Sequence, residues 1–414
     1  MHRVKTFHCF AAPEKIPKIL ESLDASAPRL ENLVFDLTGR GSRSSNPAFA
    51  KPDILANLFQ GKSLKLKTLC LKNMLIPFKS SIYGHAMTSL SISGPFYQNL
   101  PSTESFIHMI SKSPNLESIS LHSIDLTASL TTPVAPLLRL PHLRQITFRD
   151  VDPISTGLIL GAIEVNNSLD PKISIHVGLD WDNEQNLTAI FQPATSPLSL
   201  SHFLTTSLDT LEIHPETLEA FFSTNSGRQE LLVSQLGILA LDTELEGIAF
   251  PSLEAIRIIG LSTDDDVSVA EGVLERFSGQ IRRVKIKSSQ SLDDVLEFIF
   301  HKPNKRQRGK WNLPLLQELV LSDCDLDPNR LASWVVGRAW YSKAKGVDYR
   351  PDTSKFTLQL KKCSMTRMAF ANMSEWVVEG GLEWDGETKV DRHGQGAVVD
   401  DWDLSDGEDF DPEL

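Results

Sequence analysis

The sequence lacks the features of a membrane or secreted protein. No stretch reaches the ~18 consecutive apolar residues that a membrane-spanning helix requires, and the first residues contain no apolar core ahead of a small-residue cleavage site. Cysteine is scarce and no two cysteines form a C-x-x-C pair, which excludes a disulfide framework and zinc-ligand spacing. We therefore expect a reducing compartment, the cytoplasm or the nucleus or both, and no membrane contact. The four cysteines are Cys9, Cys70, Cys324 and Cys363.

An excess of positive charge is also missing. The chain of 414 residues has 41 Lys and Arg against 53 Asp and Glu, a net charge of −12. Because phosphate contacts depend on Lys and Arg, this balance predicts no nucleic-acid partner. The hydrophobic fraction of 41% is ordinary for a globular protein and predicts a large core.

Motifs for catalysis and cofactor binding are absent as well. The sequence has no G-x-x-x-x-G-K-S/T phosphate loop, no G-x-S-x-G elbow and no H-E-x-x-H helix. The three acidic residues 264–266 precede a predicted helix, where negative charge favours the helix dipole. We expect no enzyme activity, no cofactor and no metal site.

What the sequence does contain is a leucine repeat. Residues 316–326 fit L-x-x-L-x-L-x-x-N/C-x-L at every defined position, and residues 66–76 and 116–126 fit it with an apolar residue in the N/C position. In such a unit the fourth and sixth residues point inward from a short strand. Shorter strand cores begin at residues 4, 30, 87, 143, 208, 236, 253 and 281, with a degenerate strand at 173–177 and a partial copy at 358–363.

Segments with helical apolar spacing lie between these cores. Ser102, Ser291 and Asp327 are the predicted N-caps, Asp327 with Pro328 at the first helical position. The pattern predicts an α/β fold, an irregular leucine-rich-repeat solenoid shaped as a horseshoe or arc, with a parallel concave sheet and convex helices. An ordinary α/β protein with leucine-rich strands is the alternative. Further helices are predicted at 53–59, 156–165, 216–222 and 266–277.

The expected solenoid spans residues 1–380, and 365–380 is its possible C-terminal cap, with Met368, Trp376 and Val377 in apolar contact. A strand core four residues into the chain predicts a missing upstream segment, unless the first strand frays or pairs with a partner. Residues 383–414 are expected to form an acidic disordered tail, with eight Asp and Glu and no Lys or Arg from residue 394 onward. Trp402, Leu404 and Phe410 are spaced in it as in a short binding motif; a solubilising tail is the alternative.

The candidate binding residues are mostly basic. In residues 281–287 the inward positions are Ile281, Val284 and Ile286, which predicts that the intervening residues face the concave side. A protein partner with an acidic or phosphorylated segment, or the chain's own tail, could dock there; a solvated strand face is the alternative. Residues 302–310 are typical of a nuclear-localisation signal or of a solvated loop. The full candidate set is Arg257, Arg282, Arg283, Lys285, Lys287, Glu318 and Lys361.

Degenerate L-x-x-L-x-L units of uneven length, beginning after His2 and Arg3 and followed by an acidic tail with Trp402, resemble the repeat region of fungal F-box/leucine-rich-repeat proteins over residues 1–380. The resemblance implies a non-catalytic substrate receptor of an SCF-type ubiquitin ligase. No Leu-Pro-x-Glu-Ile-like F-box start is visible, so the Skp1 adaptor and cullin are expected partners only if an F-box lies upstream. The alternatives are a Ran-GAP-like or acidic-nuclear-phosphoprotein-like regulator, whose repeats are more regular, and a scaffold without a role in degradation.

Overall fold

A computed structural model of the chain describes most of its regular structure. The described residues are 3–11, 15, 18–19, 23, 26–36, 59, 65–73, 78–94, 101–124, 126–127, 137–164, 173–178, 187–191, 198–214, 219–224, 229–234, 248–290, 292–300, 312–344, 356–375, 377 and 381–385.

A long, mostly parallel sheet dominates these residues, as the repeat predicts. Fifteen of the described strands form it, in the order β1-β2-β3-β4-β5-β7-β9-β12-β11-β10-β13-β14-β15-β16-β17, and β6 pairs with β8 in a separate two-stranded sheet. The strands are β1 (Thr6–Phe10), β2 (Asn32–Asp36), β3 (Thr68–Lys72), β4 (Ser89–Ser93), β5 (Ser118–His122), β6 (Leu138–Arg139), β7 (Gln145–Arg149), β8 (Ile163–Glu164), β9 (Ile173–Gly178), β10 (Thr210–His214), β11 (Glu219–Ser223), β12 (Gln229–Ser234), β13 (Ala255–Ile259), β14 (Arg283–Lys287), β15 (Glu318–Ser322), β16 (Thr357–Lys361) and β17 (Leu382–Trp384).

Helices alternate with the strands, and several begin at the predicted caps. The Ser102 hydroxyl accepts a hydrogen bond from the Ser105 backbone N–H. The carboxylate of Asp327, which directly precedes Pro328, accepts one from the Asn329 backbone N–H. The mixed α/β class is therefore confirmed. The helices are α1 (Thr103–Ser111), α2 (Pro153–Ala162), α3 (Leu187–Ile190), α4 (Leu200–Ser207), α5 (Asp264–Arg276), α6 (Asp293–Phe300), α7 (Pro328–Ala344) and α8 (Arg367–Ser374).

The core lies on one face of the sheet. In the five-residue strands from β2 onward the second and fourth residues are buried, as in Leu69 and Leu71 or Leu319 and Leu321, all with no exposed surface. They join the buried helix residues in one hydrophobic cluster. The inward positions that the repeat predicts are thus confirmed, and burial of these side chains is the main stabilising contribution.

The backbone at both ends of the strands repeats more regularly than the sequence does. The carbonyl ahead of a strand accepts two N–H groups from the next unit, as Glu31 does from Lys67 and Thr68. The residue after a strand takes positive φ in eight described cases, and its N–H bonds to the neighbouring strand in six of them, as from Gly94 to the His122 carbonyl. Units of unequal length therefore converge on one backbone geometry. The eight residues are Asn73, Gly94, Ser123, Asp150, Gly260, Ser288, Asp323 and Lys362.

The prediction of a helix at 216–222 is wrong. Glu219–Ser223 is strand β11, and it runs antiparallel to β10 and to β12. Ala220 and Phe222 are buried while Phe221 is partly exposed, so the period is two and not that of a helix. The sheet is consequently not parallel throughout, since both pairings of β11 are antiparallel. Strand β12 then pairs parallel with β9.

Other boundaries differ from the predictions. The helix expected at 156–165 starts at Pro153 and stops at Ala162, because Ile163 turns to extended backbone and enters β8. The degenerate strand at 173–177 is confirmed as β9. In the predicted cap, Val377 is buried but Met368 is 57% exposed. The strand core at 236–241, the helix at 53–58, Ser291, Trp376, the basic loop 302–310 and the tail from 386 lie outside the described residues.

Candidate protein-binding face

The sheet has an open face opposite the hydrophobic cluster. The first, third and fifth residues of the five-residue strands lie on it, because side chains alternate along a strand. In the six-residue strands β9 and β12 the fourth residue lies on it. Strand register aligns these positions from unit to unit, so that Arg257 lies opposite Lys285 and Lys285 opposite Val320. The face therefore carries three rows of outward side chains.

Four basic residues gather on this face at β13 and β14, and we call Arg257, Arg283, Lys285 and Lys287 the basic patch. Arg257, Lys285 and Lys287 are exposed, and Arg283 is partly buried. Like charges directly opposite each other on neighbouring strands repel. Arg257 and Lys285 are such a pair.

The acidic neighbours of the patch are unevenly distributed. A carboxylate oxygen of Glu212 lies 3.5 Å from the Arg257 guanidinium, and its other oxygen lies 2.8 Å from His214 Nε2. Neither Lys285 nor Lys287 forms an ion pair with a residue that the structure describes. The two lysines are thus the part of the patch whose charge the described residues neutralise least.

The prediction that Arg282 shares the open face is wrong. Arg282 precedes β14, and its carbonyl is one of those that accept two N–H groups from the next unit. Its side chain pairs with Glu254, at 3.7 Å, which precedes β13 in the same way. Arg282 thus belongs to a row along the edge where the strands begin, because the strand proper starts one residue later.

Glu318 and Lys361 do lie on the open face. Glu318 is the first residue of β15 and stands opposite Arg283, where it offsets part of the patch's charge. Lys361 is the last residue of β16, separated from Lys287 by Ser322 of β15. The outward residues of β14 and β16 therefore extend a positive surface toward the C-terminal edge of the sheet.

A second patch, missed in the sequence, lies where the strand order changes. Phe221 of β11 stands opposite Leu232 of β12 and Glu212 of β10, all on the open face. Leu232 stands opposite His176 of β9, and the rings of Phe221 and His214 have centroids 5.2 Å apart. We call His176, Leu232, Phe221 and His214 the Phe221 patch. Alternation in residues 219–223 was the available signal.

His176 gives this patch a neutral edge. Burial lowers the pKa of His176, and the positive charge of Arg149 lowers it further, while Glu219 opposes both. The imidazole is therefore uncharged at neutral pH and can serve as donor and acceptor. Together with Phe221 it provides a partly apolar site of the kind that anchors interfaces.

The N-terminal half of the open face differs in chemistry. Five outward residues of β4 and β5 are serines, and we call Ser89, Ser91, Ser93, Ser118 and Ser120 the serine face. The hydroxyls of Ser118 and Ser89 form a hydrogen bond of 2.9 Å between strands. Nearby charges are paired, as Lys72 is with Asp36 at 3.3 Å. Arg149, the exposed last residue of β7, is a lone basic residue in this half, which has no cluster of basic residues like the basic patch among its described strands.

Three of the four cysteines, Cys9, Cys324 and Cys363, are buried in the hydrophobic core. Cys324 and Cys363 occupy the N/C position of successive units, and both are buried. The Cys324 thiol contacts the carbonyls of Ile286 and Ser322, and its hydrogen bond with Cys363, together with burial, raises the pKa of Cys324. A buried, protonated thiol is a poor nucleophile, so we assign Cys324 a packing role. The same hydrogen bond lowers the pKa of Cys363 to about 7.

The acidic residues 264–266 have a structural role. Asp266 closes a capping box at α5, accepting the Thr263 N–H at 2.9 Å while its own N–H bonds to the Thr263 hydroxyl. Among the described residues, no three His, Cys, Asp or Glu side chains group to hold a metal ion. None of the described helices has both the length and the apolarity to span a membrane. No protein-family model matches the chain, and no curated protein is significantly similar to it in sequence.

Proposed function

We propose that the chain is a non-catalytic protein-binding module that holds an acidic, extended segment of a partner on the open face of its sheet. The observation that carries the proposal is the pair of exposed lysines, Lys285 and Lys287, without an acidic partner among the described residues. Such a patch is unexpected on a chain of net charge −12, and it supports binding of carboxylates through charge-assisted hydrogen bonds.

The finer architecture is part of this proposal. We infer a leucine-rich-repeat solenoid that curves as an arc, with the open face concave and the helices convex. The recurring positive-φ residue and the recurring two-fold acceptor carbonyl support this inference, because stacked units must share one backbone geometry. Concave strand faces of such stacks are extended binding surfaces.

The two patches together define the partner segment. In the sheet order β11 and β14 are three strands apart, which is about 14 Å at the usual strand spacing. An extended segment covers that distance in about four residues. We therefore propose a segment with carboxylates over β14 and an aromatic or aliphatic side chain about four residues away, packed against Phe221.

A narrower function rests on the resemblance alone. We propose that the module is the substrate receptor of an SCF-type ubiquitin ligase and works in the cytoplasm or nucleus. The test is co-precipitation of the ligase adaptor with the chain extended by its upstream coding sequence. Binding of the adaptor would support this function, and its failure to bind would leave a protein-binding module without a role in degradation.

The binding site itself is tested by charge reversal in the full chain. The probe is a fluorescein-labelled peptide of 15 residues, rich in Glu and carrying one Phe and one Leu, followed by fluorescence anisotropy. We expect Lys285→Glu with Lys287→Glu to weaken binding about tenfold or more, equivalent to about 1.4 kcal/mol. The reason is that two attractive contacts become repulsive.

The matched control places the same charges at the equivalent positions of β4, as Ser91→Glu with Ser93→Glu. These residues are the third and fifth of their strand, like the two lysines. Binding should stay within about twofold, since the control sites lie beyond a Debye length of ~8 Å at physiological salt. Equal losses in both variants, or none in the first, would refute the proposed site.

A further inference from the structure

We propose that the acidic segment 400–413 of this chain occupies the basic patch in the same molecule and competes with the partner for it. The inference rests on the binding site proposed above and adds its regulation: the free chain would be self-inhibited. The proposed occupant of the basic patch is the tail of the same molecule. The experiments below distinguish it from the tail of a second copy of the chain.

Charge complementarity is the first argument. Residues 394–414 carry no Lys or Arg, and their acidic residues are concentrated in 400–413. The patch offers Lys285 and Lys287, which have no acidic partner in the described part of the chain. Attraction between the two is strongest at low ionic strength and is screened by salt. The acidic residues are Asp400, Asp401, Asp403, Asp406, Glu408, Asp409, Asp411 and Glu413.

The length of the connecting chain is the second argument. The described chain stops at Asp385, directly after β17, and β17 is three strands from β14 in the sheet order. That separation is about 14 Å. The 15 residues from Asp385 to Asp400 could span about 50 Å when extended, and a coil of that length has a root-mean-square span of about 20 Å. A tether of this kind gives an effective concentration near the millimolar range.

The order of side chains along the segment is the third argument. A chain arriving from β17 crosses β16 and β14 before it reaches β11, so it meets Lys361 and the basic patch before Phe221. The segment presents its first acidic residues at 400–406 and Phe410 four residues beyond Asp406. Four extended residues span about 13 Å, close to the separation of β14 and β11. Carboxylates and aromatic ring thus fall in the order that the face requires.

The contact is tested in the full, unmodified chain by zero-length carbodiimide cross-linking, which joins a lysine amine to a carboxylate in contact with it. We expect mass spectrometry to find Lys285 and Lys287 joined to residues 400–413. The internal controls are Lys67, directly before strand β3, and Lys72, its last residue. Neither should join to the tail. The products should decline in about 1 M salt, where the Debye length is ~3 Å.

Isotope mixing identifies the occupant. Equal amounts of light chain and of chain labelled with heavy nitrogen are cross-linked together at dilution. Products within one isotope class support the intramolecular contact. Products that join light to heavy chains would overturn it in favour of a second copy. Absence of tail products, or their even spread over all lysines, would overturn it as well.

Competition is tested with the labelled acidic peptide described above. We expect the full chain carrying Asp400→Asn, Asp401→Asn, Asp403→Asn and Asp406→Asn to bind the peptide about tenfold more tightly than the unchanged chain, because the internal competitor is weakened. In the Lys285→Glu and Lys287→Glu background, the same neutralisation should change nothing.

The two proposals fail differently. If the peptide binds the basic patch but tail neutralisation leaves its affinity unchanged and no tail cross-link forms, self-inhibition is refuted and the binding module stands. If tail cross-links form on the patch but the peptide binds neither the unchanged nor the neutralised chain, the proposed partner chemistry is refuted, while the tail contact stands.

Discussion

The serine face and the basic patch are two regions of one sheet with the same backbone and opposite surface chemistry. Strands β4 and β14 each have five residues, bury the second and fourth, and are followed by a residue with positive φ. Outward, β4 presents serines, whereas β14 presents one arginine and two lysines. The comparison teaches that folding is encoded by the inward positions, which leaves the outward positions available for recognition.

The physical basis of this division is the cost of each substitution. A change at an inward position loses apolar burial and leaves a cavity, whereas an outward change meets water and usually costs within ±0.5 kcal/mol. Repulsion between Arg257 and Lys285 is tolerated for that reason. The binding site that we propose lies in the C-terminal half, where the outward residues of β13 and β14 depart from small neutral ones.

The largest expected effect tests whether the two regions share one core. Leu121 of β5 and Leu321 of β15 are both fully buried at the fourth position of their strands. We expect Leu121→Ala and Leu321→Ala to lower the free energy of unfolding by about 2 to 5 kcal/mol each. Urea denaturation measures this, and a cost below about 1 kcal/mol in only one region would show that the regions are not equivalent.

A smaller effect on stability is expected at Gly94 and Gly260, two glycines that directly follow strands. Gly94 has φ of +122°, and a Cβ there would lie 2.8 Å from the Asn73 Cα, too close for a backbone neighbour. Gly260 has φ of +79°, nearer the left-handed region that other residues can enter.

We expect Gly94→Ala to destabilise the chain by about 3 kcal/mol and Gly260→Ala by about 1 to 2 kcal/mol. Thermal unfolding of both variants shows which of the two substitutions destabilises the chain more. Equal values would mean that the crowding at Asn73 is relieved by movement and that the two turns are alike.

The smallest effect on stability is expected at two helix caps, Asp266 at α5 and Ser102 at α1, and only the first depends on pH. Burial raises the pKa of Asp266, but hydrogen bonds from the backbone N–H groups and hydroxyls of Ser262 and Thr263 outweigh it, and the pKa lies below its ordinary value. The contribution of Asp266 is therefore present above the unfolded-state pKa and is lost as pH falls through the lower folded-state value. Ser102, which caps α1, does not titrate in this range.

We expect Asp266→Asn and Ser102→Ala each to cost about 1 kcal/mol at neutral pH. The loss in Asp266→Asn should shrink as pH falls to about 3, because the carboxylate of the unchanged chain is then being protonated, while that in Ser102→Ala should stay constant. Urea titrations across this range measure both, and a pH-independent loss at Asp266 would contradict the assigned hydrogen bonds.

Much of the fold follows from local sequence patterns. The strand cores at 66–76, 116–126 and 316–326 were predicted because inward leucines alternate with polar residues, and the starts of α1 and α7 because Ser102 and Asp327 cap them. Strand β11 was not predicted, because the apolar residues at 218, 220, 221 and 222 fit a helix face as well as a strand. Pairing with β10 and β12 decided between the two.

The candidate face was predictable in part for the same reason. Alternation places Lys285 and Lys287 outward and Val284 inward, and the structure agrees. Arg282 was misplaced because alternation does not show where a strand begins; the hydrogen bonds of the neighbouring unit fix that. Five of the eight described residues that follow a strand with positive φ are Gly, Asn or Asp, and these residue types tolerate positive φ. That signal was readable in the sequence.

The sequence by itself determined which side chains of each unit turn inward, where several helices begin, and that positive charge gathers in residues 282–287 of an acidic chain. These are local properties, set by the periods of strand and helix and by short-range hydrogen bonds. Only the tertiary structure decided that β12 returns to β9 and β10 pairs with β13, which sets Leu232 beside His176 and Glu212 beside Arg257. Pairing between strands far apart in sequence depends on closing long loops and on mutual burial, and no local period encodes it.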